Sequence, residues 1–247
     1  MKFKFLLCIL LTNFVNSITY SKCTDKPVTI AVIDTGFGYN GQGAGAKLCK
    51  TGHKDFTLQR QYAEAPGNIF IPLDTHSHGT NIVGIIESYT REANINYCIV
   101  VLKYYVTGSQ LNSYNTTRAF EYAAEKKFDY INYSSGGVDP SEKERIAVER
   151  YLNHGGKLIS AAGNEGKNLD MPGNQYYPAM YDKRIIVVGM LDVNGIQYEY
   201  SNYGKVVNRW EIGQELIGYG VKMSGTSQST AVATGKIVSE NPNKCKR

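Results

Sequence analysis

Three polar residues, far apart along the chain, have the types needed to make and use a nucleophile. They are Asp34 in Ala31-Val32-Ile33-Asp34-Thr35-Gly36, His78 in Ser77-His78-Gly79-Thr80, and Ser227 in Gly225-Thr226-Ser227-Gln228-Ser229-Thr230. A serine hydroxyl is inert until a base takes its proton. A histidine titrates near neutrality and can both take that proton and return it to a leaving group. An aspartate can hold the imidazole in the useful tautomer and stabilise its cation. Asn164, in Ala161-Ala162-Gly163-Asn164-Glu165-Gly166, adds a side-chain N–H of the kind that stabilises an oxyanion. Together these groups would perform acyl transfer.

Each residue also has a plainer reading. Serine before a helix is most often an N-cap. Asparagine between glycines is a common turn residue. Asp34 alone could close a strand. Asp-Thr-Gly also occurs where two carboxylates share a proton, but no second Asp-Ser/Thr-Gly is present, so that chemistry would need a second copy of the chain. Of the four histidines, His53, His76 and His154 lack the following Gly-Thr that lets the chain turn into a helix. His76 reads as a solvated loop residue rather than a second metal ligand. The combination, in one chain order, favours the catalytic reading.

The elements that must position these groups follow from periodicity. Val28 to Ile33 and Tyr97 to Leu102 are continuous apolar, β-branched runs, as expected of strands buried on both faces. Tyr130 to Tyr133, Lys157 to Ala161 and Arg184 to Val188 are further strands. Helices are expected over Gly79 to Ser88, Thr117 to Lys127 and Ser227 to Ser239. Another opens at the capping box Ser141-Glu142-Lys143-Glu144 and ends at Gly155-Gly156. Strands alternating with helices imply an α/β fold, a mostly parallel central sheet with helices on both faces. Functional groups of such sheets gather at the carboxyl ends of strands. Asp34 and Asn164 both follow strands.

The bulk properties fit one domain. The chain has 247 residues, 42% hydrophobic and 20% charged, with 27 basic and 22 acidic residues and a formal charge of +5. Lys2, Lys4 and the apolar run Phe5 to Leu11, followed by Val15-Asn16-Ser17, read as a secretory leader over residues 1–17. The run is shorter than the ~20 residues that span a bilayer. Without Lys2 and Lys4 the balance is 25 basic against 22 acidic residues, too mild and scattered to argue for nucleic acid. Export leaves Cys23, Cys49, Cys98 and Cys245 in an oxidising compartment. Four cysteines allow three pairings. Cys23–Cys245 with Cys49–Cys98 is preferred, since the first would clip the chain ends to the body; free buried thiols are the alternative. No CxxC or paired-His spacing suggests a metal. Asn115-Thr116-Thr117 and Asn132-Tyr133-Ser134 are glycosylation sequons, the second inside an expected strand.

Five blocks in order resemble those of the subtilisin-like serine proteases: Asp34-Thr35-Gly36, His78-Gly79-Thr80, Ile131 to Gly137, Ala161 to Gly166 and Gly225-Thr226-Ser227. Tyr177-Pro178-Ala179 and Ser201 to Gly204 match further landmarks. The resemblance runs from about Val28 to Gly235. It implies a three-layer peptidase domain over residues 28–247, with 18–27 a short preceding segment. It implies that Ser227 is the nucleophile, His78 the base, Asp34 its orienter and Asn164 an oxyanion donor. Ser134, Ser135, Gly136, Ala162 and Gly163 would line an extended protein or peptide substrate, with Tyr104, Tyr105, Gly108 and Ser109 on the opposite rim. The protein would then be a secreted monomer without cofactor, metal, nucleic-acid partner or membrane attachment once its leader is removed. A silent binding protein on the same fold, and an esterase or peptide ligase on the same site, are the alternatives. The pattern departs from the family at Gln228, usually Met, and at Ala231, usually Pro. A long propeptide and a calcium loop near Glu87 to Asn96 are expected to be missing.

Overall fold

The computed structural model describes residues 26–58, 70–93 and 95–240. The expected leader, Cys23 and Cys245 lie outside the described residues. Seven strands form one sheet: β1 (Val28–Asp34), β2 (Lys54–Asp55), β3 (Tyr97–Lys103), β4 (Tyr130–Tyr133), β5 (Lys157–Ala161), β6 (Ile186–Leu191) and β7 (Arg209–Ile212). Their order is β2-β3-β1-β4-β5-β6-β7, and every neighbouring pair is parallel. A two-stranded antiparallel hairpin, β8 (Leu216–Gly218) and β9 (Val221–Met223), stands apart. The helices are α1 (His78–Glu92), α2 (Asn112–Lys126), α3 (Glu142–Asn153) and α4 (Thr226–Ser239).

The apolar runs explain the layering. Ile30 and Val32 of β1 face Ile82, Ile86, Ala231 and Val232 of α1 and α4. Ala31 and Ile33, between them, face Phe120 and Ala124 of α2 and Val148 and Leu152 of α3. Both sides of the strand are thus dry, which parallel sheets require. Truncating one of these isoleucines to Ala would cost about 2–5 kcal/mol. From β1 the chain moves out to β2 and β3, then returns through α2 to β4. The strand order reverses around β1, and the crevice beyond its carboxyl end is where ligands bind in such sheets.

The expected strands at β1, β3, β4 and β5 are present, and the α/β layering with helices on both faces is as read. The short strands β2, β8 and β9 were not read from sequence, and α2, β6 and β7 also differ from the reading. Helix α2 begins at Asn112, five residues early, because Asn112 to Thr116 are polar and carry no apolar period. Strand β6 runs on to Leu191. Strand β7 went unread because Arg209 and Glu211 interrupt it; buried Glu211 is neutralised by Arg209 at 2.6 Å and Lys236 at 2.6 Å. Ser141 does cap α3, its hydroxyl accepting from Glu144 N–H at 3.3 Å. The reciprocal half of the box is replaced, since Ser141 N–H donates to the Tyr181 hydroxyl at 2.7 Å. Cys49 and Cys98 are bonded, as preferred above. Both sequon asparagines are buried: Asn115 donates to the Tyr104 carbonyl and Asn132 to the Ser134 hydroxyl. No helix among the described residues is long and apolar enough to cross a membrane.

Candidate active site

Asp34 is the last residue of β1, and only 4% of it is exposed. Its Oδ1 accepts from Thr35 N–H at 2.7 Å and from His78 Nδ1 at 2.8 Å. His78 opens α1. With Nδ1 spent on the carboxylate, Nε2 is left without a hydrogen-bond partner among the described residues. Burial of His78 works against its charged form. The charge and hydrogen bond of Asp34 outweigh that, with a smaller contribution from Asp74, and hold its pKa above the usual 6.5. The close approach of α1 to β1 depends on Gly79, where a Cβ would stand 2.2 Å from the Gly36 carbonyl oxygen. Gly-Thr after the histidine is therefore a packing requirement, with Thr80 also engaged.

Thr80 leads to a residue that sequence reasoning missed. Asp74 is 2% exposed and gathers five hydrogen bonds. Its Oδ1 accepts from Thr35 Oγ1, His76 N–H and Ser77 N–H at 2.8–2.9 Å. Its Oδ2 accepts from Thr80 N–H at 2.9 Å and Thr80 Oγ1 at 2.6 Å. Burial raises the carboxyl pKa, but these donors win and hold it below the usual range. The carboxylate serves as the N-terminal cap that Ser77, at φ 79°, does not provide. An Asp just ahead of a helix start was the signal available for it. Thr35 Oγ1 in turn accepts from Gly79 N–H at 2.9 Å, so the Asp34 loop and the His78 turn are tied together twice.

Ser227 is the second residue of α4, where backbone N–H groups have no helical partner. Its hydroxyl donates to the Ser134 carbonyl at 2.8 Å, and the Ser134 hydroxyl donates to the Ser227 carbonyl at 3.0 Å. Asn132 supports this pair, donating from Nδ2 to Ser134 Oγ at 2.8 Å and accepting Thr234 Oγ1 at 2.9 Å. Ser134 is thus buried and turned toward Ser227. Ser135 and Gly136 are half-buried beyond it. Gly136 passes against Tyr176, where a Cβ would stand 2.3 Å from the ring. Gly137 then pairs with Tyr177 through two backbone hydrogen bonds of 2.9 and 2.7 Å.

Asn164 lies on the far side of Ser227. Its Oδ1 accepts from both Thr226 N–H and Thr226 Oγ1 at 2.9 Å. Two donors fix the amide's orientation, so Nδ2 faces away with no partner among the described residues. Gly163 and Ala162 are buried behind it. Asn202 pins this loop, donating to the Ala162 carbonyl at 2.9 Å and Glu165 Oε2 at 2.6 Å and accepting Lys167 N–H at 2.8 Å. On the opposite rim Tyr104 is buried, while Tyr105 and Ser109 are half-buried and Gly108 is exposed. His76 is exposed, with its ring edge-on to Tyr105. Among the described residues no group of three or more His, Cys, Asp or Glu is placed to hold a metal ion.

Asp34 thus ends the first strand of a parallel sheet, with His78 bonded to it and Ser227 at a helix start. The family model for subtilases matches residues 25–243, and the chain belongs to the subtilase family. Among curated relatives, the major intracellular serine protease of Bacillus subtilis (strain 168) is 26% identical over 231 residues, covering 86% of this chain and 67% of that protein. The thermostable alkaline protease of Halalkalibacterium halodurans is 28% identical over 238 residues, covering 85% and 61%. A cold-adapted subtilisin-like serine proteinase of known structure matches with a TM-score of 0.67 at 22% identity, covering 87% of this chain and 77% of that one. The nisin leader peptidase of Lactococcus lactis matches with a TM-score of 0.65 at 16% identity, covering 85% and 76%. These structural likenesses concern the fold.

Proposed function

We propose that this subtilase is an exported endopeptidase that cleaves peptide bonds through an acyl-enzyme on Ser227. The 2.8 Å bond from His78 Nδ1 to Asp34 carries the reading, because it fixes the tautomer that leaves Nε2 free to accept a proton. In the first step Ser227 Oγ–H turns from the Ser134 carbonyl to His78 Nε2 and gives up its proton as oxygen attacks the substrate carbonyl. Asn164 Nδ2 and Ser227 N–H then stabilise the oxyanion, a charge present only in the transition state and the intermediate. His78 returns the proton to the leaving amine, and water repeats the cycle on the ester. Ser135 and Gly136 run beside the substrate backbone, and Ala162 and Gly163 shape the wall behind its side chain. Export is supported by the leader-like sequence at residues 1–17 and by the Cys49–Cys98 bond, since disulfides persist in oxidising compartments. Removal of that leader would leave residues 18–27 as a short segment ahead of a peptidase domain over 28–247.

The hydrogen bond from Ser227 to the Ser134 carbonyl, in place of one to His78, favours a second reading: a silent protein on a protease fold. Labelling decides between them. A fluorophosphonate should add to Ser227, located by mass spectrometry, and Ser227→Ala should lower casein cleavage by roughly 10⁶-fold, the size known for this serine in subtilisin itself. A folded protein that takes no label at Ser227 would establish the silent reading.

A further inference from the structure

Behind the candidate site, two buried amides meet. Asn81 lies one turn along α1 from His78, and Gln228 follows Ser227 on α4. They are 0% and 1% exposed. Gln228 Nε2 donates to Asn81 Oδ1 at 2.9 Å. Asn81 Nδ2 donates in turn to the Leu216 and Val221 carbonyls at 3.1 and 2.8 Å. Those carbonyls belong to the β8–β9 hairpin, which leads directly to Gly225 and Ser227. Only one orientation of the Asn81 amide satisfies all three partners.

We propose that Asn81 and Gln228 form a clasp that sets the spacing between the two helices bearing His78 and Ser227, and that both are positioning residues for proton transfer. The proposal rests on the reading of His78 as base and Ser227 as nucleophile. At the far end of the pair Ser239 Oγ of α4 donates to the Tyr89 carbonyl of α1 at 3.0 Å, while near His78 and Ser227 the surrounding contacts come from Ile82, Val83, Ala231 and Val232. Apolar contact is non-directional and tolerates sliding. A 2.9 Å hydrogen bond does not, and in a dry core neither amide has water as a substitute. From the sheet side Ser227 is held by Ser134. The clasp supplies a directional constraint from α1 at the end of the two helices that bears His78 and Ser227, far along them from the Ser239–Tyr89 bond. It also ties the hairpin to α1, so the loop before Ser227 and the turn at His78 move as one body. Gln228, which stands apart from the family's usual Met, therefore has a partner of matching chemistry in Asn81.

The test compares kcat and KM for a peptide amide in wild type, Gln228→Met, and the swap Asn81→Gln with Gln228→Asn, with thermal unfolding measured alongside. Gln228→Met keeps the side chain's bulk and removes its donor. It should lower kcat at least tenfold, toward the roughly 100-fold cost of an ångström of misplacement, with KM within threefold. The rate of fluorophosphonate addition to Ser227 should slow in parallel. The swap restores an amide pair across the same gap and should recover at least tenfold of the lost kcat. A smaller loss in Gln228→Met, or a change confined to KM, overturns the clasp. If Gln228→Met does not fold, the swap decides alone: a folded swap with kcat within tenfold of wild type supports the clasp, and a larger loss overturns it. Ser227→Ala in the same assay separates the two levels. Retained hydrolysis there sinks the nucleophile reading, whereas full loss there beside an unaffected Gln228→Met sinks only the clasp.

Discussion

His53 and His78 are both largely removed from solvent, yet their surroundings assign them opposite work. His53 spends both ring nitrogens on backbone: Nε2–H donates to the Cys49 carbonyl at 2.8 Å and Nδ1 accepts from Val101 N–H at 3.0 Å. Protonation would cost it the Val101 bond. Burial lowers its pKa, and the Cys49 bond only partly offsets that. His78 spends one nitrogen on a carboxylate and keeps the other open, and its pKa is raised. The first is a neutral strut between a loop and β3. The second is equipped to take up and release a proton. Burial alone does not distinguish them; the charge of the partner and the uncommitted nitrogen do.

The sharpest way to break this contrast is to neutralise the carboxylate. Asp34→Asn keeps the shape but permits the wrong tautomer, and kcat should fall about 10⁴-fold. His53→Asn should leave kcat within a few-fold while lowering the unfolding midpoint in urea. Equal losses of kcat at both positions would end the distinction. Asn164→Ala comes next, with a loss in kcat of about 10²–10³, the range known for the same donor in subtilisin, and little change in KM. A change confined to KM would make Asn164 a binding residue only. On the His53 side, replacing Cys49 and Cys98 by Ser frees a 49-residue separation and should cost about 4 kcal/mol of stability in the chain-entropy account. Calorimetry checks it, and kcat of the folded fraction should hardly move.

The same contrast explains what could be read from sequence. Strands with unbroken apolar runs, such as Val28 to Ile33, announce themselves because dry faces demand them. Asp34, His78, Ser227 and Asn164 were visible because each sits in a short block of small residues whose order is informative. Asp74 and Asn81 were not, because their meaning lies in long-range partners. Asp74 reaches back to Thr35, and Asn81 reaches forward to Leu216, Val221 and Gln228. Asp74 carries only the weak local signal of an Asp ahead of a helix start, and Asn81 carries none. Gln228 was noticed as a departure, but its consequence depended on Asn81. Ser134 was read by resemblance as part of a segment pairing with substrate backbone; that its side chain is turned in toward Ser227 was not legible, because a strand's end does not reveal which way its last hydroxyl points. Strand β7 was hidden by Glu211, whose charge reads as surface until Arg209 and Lys236 are seen beside it.

The smallest effects expected are those of pH, and their signs differ between the two histidines. His53 has a folded pKa below 6.5, so the unfolded chain binds its proton more readily. Its contribution to stability is present above pH 6.5 and is lost as pH falls toward the folded value. His78 has a folded pKa above 6.5, so its contribution is fully present below pH 6.5 and is lost as pH rises through the folded value. Each changes stability by at most about 1.4 kcal/mol per pH unit. Urea unfolding between pH 5 and 8 should therefore show His53→Asn losing less stability than wild type on acidification, and His78→Asn losing more. Activity follows only one of the two. His78 must be neutral to accept a proton, so the acid limb of kcat/KM should centre above pH 6.5. Asp74→Asn removes a charge that helps hold it there and should move the limb down, while His53→Asn should leave it in place. A limb that moves with His53 rather than with Asp74 would mean that the titrating base has been misassigned.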